Sequence, residues 1–155
     1  MRRLKTTRVV LGVLVGLCCA SCDPSYQMRP VGWPPAPDGK WAKDVGGFTV
    51  RAERISGLIG ETWLYLNFEI EGNKLPVKLE SARLQAQSGV YEGKLDKRCQ
   101  VVAAGEQHGR LCVSWAFDQN HTVPKVMGER SVIILTLQVG TDSRPLQVEY
   151  ERYGD

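Results

Sequence analysis

From residue 48 onward, apolar positions alternate with polar ones instead of recurring every three or four residues, the period-two pattern of strands with one buried face. The segment "FTVRA" sets Phe48, Val50 and Ala52 on one side. "WLYLNFEIEGN" is clearest: Leu64, Leu66, Phe68 and Ile70 face one way and Trp63, Tyr65, Asn67 and Glu69 the other. "LPVKLE" follows with Leu75, Val77 and Leu79 in phase, and Pro76 marks an edge or a strand start because it has no N–H for a ladder. "ARLQAQ" reads as a further short strand. "RCQVVAAG" and "RLCVSWAF" flank a turn at "EQHG", with Leu111, Val113, Trp115 and Phe117 on the core side, and "SVIILTLQVG" joins "PLQVEYERYG" through "TDS". Seven or eight short strands with no amphipathic helix predict an all-β, antiparallel β-sandwich over residues 47–155.

Residues 22–46 break the pattern. "DPSYQMRPVGWPPAPDGKWAKDVG" is rich in Pro and Gly, has neither period, and is expected to be a semi-extended tether. The "GWPPAP" within it could also dock on an aromatic-lined groove.

Residues 1–21 have another character. Arg2, Arg3, Lys5 and Arg8 precede the short apolar run "VVLGVLVGL", which is below the roughly 20 residues that span a bilayer, so the segment reads as an export signal. The small residues Ala20 and Ser21 before Cys22 resemble the lipobox of bacterial lipoproteins. That resemblance implies cleavage after Ser21, acylation of Cys22 as the first mature residue, and a lipid bilayer as partner in the cell envelope. One departure stands beside it, Cys19 where the family usually has Leu; the alternative is an ordinary signal peptide cut near Ala20, which would leave a free secreted protein. Membrane leaflet is left open. In strand number and size the remainder looks like the immunoglobulin-like sandwiches of many bacterial envelope lipoproteins, and "VPKVMGERSVIILTLQV" adds to the likeness.

Charge changes the picture only after the signal is set aside. Four of the twenty Lys and Arg lie in residues 1–21 and none of the seventeen acids does, leaving 16 against 17, a balance of −1. A nucleic-acid partner thereby loses its electrostatic basis.

Few residues carry candidate chemistry. Cys99 and Cys112 are the cysteines left once Cys22 is acylated, and an exported pair defaults to a disulfide. A hairpin turning near residues 105 and 106 would set them directly opposite each other. The core side of Leu111, Val113 and Trp115 turns Cys112 outward, so the bridge lies on the solvent face or a bulge shifts the register. With His108 and His121 the cysteines could alternatively ligate zinc, although only His108 and Cys112 have close ligand spacing; no metal and no cofactor is expected. Glu69 with Glu71, and Glu149 with Glu151, read as solvated sheet faces. No G-x-S-x-G elbow or phosphate loop is present, and an enzyme is not expected.

Trp63 and Tyr65 point away from the face their strand buries. They form either a binding face or a surface covered by the N-terminal segment, whose Trp33 and Trp41 need packing; cover is the stronger expectation. The function expected from these readings is a non-catalytic, membrane-anchored envelope lipoprotein making protein contacts in an accessory, assembly or inhibitor role. A carbohydrate-binding or carbohydrate-acting module is the alternative.

Overall fold

The computed structural model describes residues 25–154; the signal segment 1–21 and Cys22 lie outside the described residues. In chain order the strands are β1 (Ser25–Pro30), β2 (Trp41–Asp44), β3 (Thr49–Ala52), β4 (Ile55–Leu58), β5 (Trp63–Glu71), β6 (Val77–Ala86), β7 (Gly89–Glu92), β8 (Lys94–Leu95), β9 (Val101–Val102), β10 (Gly109–Ala116), β11 (Arg130–Val139) and β12 (Asp142–Arg152). A 3-10 turn spans Lys97–Cys99, and one short helix, α1, spans Val123–Met127. Pairing is antiparallel throughout these strands. One sheet has the order β4-β1-β12-β11-β6-β7, with β9 also on β6; the other runs β2-β3-β5-β10-β8.

The all-β, two-sheet architecture agrees with the alternation. Leu64, Leu66, Phe68 and Ile70 are buried from β5, and in register across β10 lie Trp115, Val113, Leu111 and Gly109. The other sheet answers with Ile133, Leu135 and Leu137 of β11, aligned with Val148 and Leu146 on β12 and with Leu84, Ala82 and Leu79 on β6. These rows join in one apolar core, so the fold is sandwich-like. Burying a Leu or Phe side chain contributes about 1.5–3 kcal/mol, which makes this stack the main source of stability.

Three expectations are corrected. First, residues 25–44 are not a tether. β1 pairs with β12 and β4, while β2 pairs with β3; Tyr26, Met28 and Trp33 are buried in the core. Alternation was present in "YQMRP", but its partners are β4, about thirty residues on, and β12, over a hundred residues away, and Pro and Gly in the flanking loops masked it. Lys43 stands opposite Val50 on edge strand β2, with Nζ 5.8 Å from the Trp33 ring centroid. A lysine on the core side of an edge strand discourages further strand addition.

Second, "LPVKLE" and "ARLQAQ" belong to one strand, β6. Its register against β11 slips at Glu80, since Ser81 faces Thr136 and Leu79 faces Leu137. One extra residue flips the phase, so Val77 and Leu79 before the bulge and Ala82 and Leu84 after it all point inward. Leu75, expected in phase with them, is 53% exposed because it precedes the strand.

Third, β9 does not form a hairpin with β10. Val102 pairs with Val77 of β6 in the opposite sheet, and the neighbour of β10 is β8, through Leu95 with Val113 and Lys94 with Ser114. The chain changes sheets between β7 and β8 at Gly93, whose N–H donates to the Ala82 carbonyl at 2.8 Å. A Cβ there would stand 2.5 Å from Val113 and 2.9 Å from Trp115, so the crossing requires glycine.

The short helix was also not expected. Pro124 suits its first turn, Val123, Val126 and Met127 supply its buried face, and Gly128 at φ 58° ends it. Five residues are too few for a period to register.

Candidate functional site

The outer face of β5 divides into two ends. Toward its C-terminal end, Glu69 pairs with Lys40, which also reaches Glu53 at 3.3 Å, and Glu71 pairs with Arg51 at 3.1 Å. Arg51 in turn binds Asp38 at 2.8 Å. The Lys40 ammonium is held above the ordinary lysine range, chiefly by its hydrogen bond to Glu69 and against the opposing effect of burial. Both carboxylates are thus committed to ion pairs, Glu69 with Lys40 of the N-terminal segment and Glu71 with Arg51 of β3. Glu149 and Glu151 are likewise met by Arg130, and Glu151 by Arg29 at 2.9 Å.

Toward the N-terminal end of β5, Trp63 is 51% and Tyr65 47% exposed. The expected cover by the N-terminal segment does not occur: Trp33 enters the core, and Trp41 packs against that core from β2. Tyr65 lies opposite Ser114, which lies opposite Lys94 of β8, and Trp63 lies opposite Ala116. The rings therefore form a ridge. On one side is a depression of about 560 Å³ lined by Lys94, Asp96, Lys97, Arg98 and Ser114; on the other is one of about 340 Å³ bordered by Glu53, Arg54, Ser56 and Glu61.

The basic side is built by the Cys99–Cys112 disulfide. Cys112 lies on the outer face of β10 opposite Asn67, and its bridge, with Cα atoms 5.5 Å apart, holds the 3-10 turn against the sheet. Of the two arrangements left open by the spacing, the bridge takes the outer face; the turn above it leaves Cys112 only 4% exposed. Asp96 caps this turn, accepting from the Arg98 backbone at 3.0 Å and from its guanidinium at 2.9 Å, and those bonds hold its carboxyl below the usual range. Lys94, Lys97, Arg98 and Arg110 are left exposed around Tyr65. This basic cluster was missed, although "KLDKR" was available as its signal; only the bridge and the β8–β10 pairing bring Arg110 to it.

The remaining candidates are not gathered. Both sulfurs are joined, so neither cysteine is a thiolate ligand for zinc. His108 sits in an exposed loop at φ 60°, and His121 Nδ1 lies 2.8 Å from Asp118 in another. The hydroxyls of Ser81, Ser88 and Ser131 bond to Thr136, Tyr91 and the Met127 carbonyl. Among the described residues no helix is long and apolar enough to cross a membrane. The outer face presents two half-exposed aromatic rings beside exposed cationic side chains. No protein-family model and no curated protein matches the chain.

Proposed function

We propose that the protein is a non-catalytic lipoprotein of the bacterial cell envelope, anchored by acylated Cys22, whose immunoglobulin-like sandwich makes protein contacts in an accessory, assembly or inhibitor role. The observation that carries this reading is the half exposure of Trp63 and Tyr65 on a strand whose other face is already full. Aromatic residues backed by arginine are the commonest interface anchors. The basic cluster beside them selects an acidic partner surface and makes association sensitive to salt.

A photo-crosslinking residue in place of Tyr65, used in intact cells, is expected to join the chain to one envelope protein, and Trp63→Ala is expected to abolish that adduct. Unchanged crosslinking in the variant would overturn the assignment of the face. Separately, Cys22→Ala is expected to lose lipid labelling and move to the soluble fraction; retention on membranes would overturn the anchor. Rings bordered by hydrogen-bonding side chains also suit a sugar, so a carbohydrate-binding or carbohydrate-acting module is the second reading. Binding on a glycan array with no protein adduct would favour it.

A further inference from the structure

Only Asp23 and Pro24 separate Cys22 from Ser25, where β1 begins. Three residue steps reach at most about 11 Å, even fully extended. β1 lies against β4 with Ser25 opposite Leu58, and antiparallel neighbours are about 5 Å apart. Leu58 and Ile59 follow one another in the turn from β4 to β5 and are 56% and 43% exposed. The acid of this turn, Glu61, is also exposed, but its carboxylate is directed back over Gly57 on the side of Tyr26. Leu58 is therefore presented within about 16 Å of the acylation point and Ile59 within about 20 Å.

We infer that the Leu58–Ile59 turn inserts into the surface layer of the bilayer that holds Cys22, giving the domain a second, apolar membrane contact and a set orientation. This inference rests on the acylation proposed above. A lipid surface is the occupant because the short connection holds it at high effective concentration beside the turn, whereas a protein would have to reach beneath the domain. Two aliphatic side chains suit a shallow apolar layer and need no shaped pocket. β5 leaves this turn with Trp63 first, the height at which an indole suits the lipid–water boundary, and Tyr65 follows about 7 Å farther along the strand. The aromatic ridge and its basic flank are then met from the side by a partner in the same membrane.

The test is hydrogen exchange on mature, full-length protein in phosphatidylethanolamine–phosphatidylglycerol vesicles, compared with the soluble Cys22→Ala form, after mass spectrometry of the N-terminal peptide. Amides of residues 58–60 are expected to exchange at least tenfold more slowly on vesicles, while the loop 105–108, at the far end of β5 and β10, exchanges equally in both. An unmodified Cys22 would overturn the anchor and the insertion together. An acylated Cys22 with equal rates at 58–60 would overturn the insertion alone. The double variant Leu58→Asp and Ile59→Asp is expected to keep acylation and melting temperature but lose the slow exchange; slow exchange that persists would overturn insertion as its cause.

Discussion

One strand, β5, carries two opposite solutions on the same solvent-facing side. At Glu69 and Glu71 each carboxylate meets a cation, Lys40 of the N-terminal segment and Arg51 of β3, the latter also bound by Asp38. Six and four residues before Glu69, Trp63 and Tyr65 remain about half exposed beside Lys94, Lys97 and Arg98, and the N-terminal segment borders them only through Tyr26 without covering them. Exposed ion pairs add little stability each, typically 0–1 kcal/mol, but leave few groups unsatisfied for a partner. Half-exposed aromatics do the reverse: they hold apolar area that association alone would cover. On the proposed reading, the difference separates a part of the face that completes the fold from a part left for contact.

The comparison breaks most simply if core and surface are not distinct on β5. Phe68→Ala, on the buried side, is expected to cost about 3–5 kcal/mol in urea unfolding. A much smaller cost would mean that this side is not the core. Next in size is the disulfide. Peptide mapping without reduction should find Cys99 linked to Cys112, and replacing both by Ala is expected to cost about 3 kcal/mol. Because the bridge holds the 3-10 turn, the same variant should also weaken partner capture; retained capture would separate the basic cluster from the site.

Alkaline pH tests the two ends separately. Burial raises the phenol of Tyr150, whose hydroxyl donates to the Glu53 carbonyl at 3.2 Å, and burial followed by Glu61 raises that of Tyr26, beside the Trp63 ridge. Below pH 10 both phenols are protonated in folded and unfolded chains. Above it the unfolded chain releases protons that the folded one keeps, so stability falls as pH rises from about 10 toward the raised values, by about 1.4 kcal/mol per pH unit for each tyrosine. Tyr150→Phe and Tyr26→Phe should each remove one share of this slope in unfolding measured from pH 9 to 12.

Arg51→Ala, which removes the pairs to Asp38 and Glu71, is expected to cost about 1 kcal/mol and to leave capture unchanged. The smallest stability effect is expected from Trp63→Ala, within about 0.5 kcal/mol, while capture falls by the 2 kcal/mol or more typical of an interface anchor. A drop in melting temperature with capture intact would reverse the assignment of the two ends.

Alternation alone made the two faces of β5 legible, along with the pairing of β11 with β12, the inward Trp115 and the outward Trp63 and Tyr65. A strand's side-chain period is a local property of the backbone, so it can be read without knowing the neighbours. Cys99 and Cys112 were legible as a pair because export and their number left few alternatives. What covers each surface was not legible. Whether Trp33 and Trp41 lie on the ridge or at the core depends on which strands β1 and β2 join: β2 meets its neighbour β3, but β1 is fixed between β4 and β12, the latter across most of the chain.

The same limit explains the bulge in β6 and the change of sheet at Gly93, where one residue alters what every later side chain faces. The sequence by itself determined an all-β chain, the inward and outward sides of its longer strands and the residues able to bridge. Only the tertiary structure decided that residues 25–30 and 41–44 are strands of the domain, that β9 leaves β10 for β6, and that the disulfide gathers cations around exposed rings. Periodicity is set by each residue's own backbone, whereas partnership is set by sheet pairings between residues far apart in the chain.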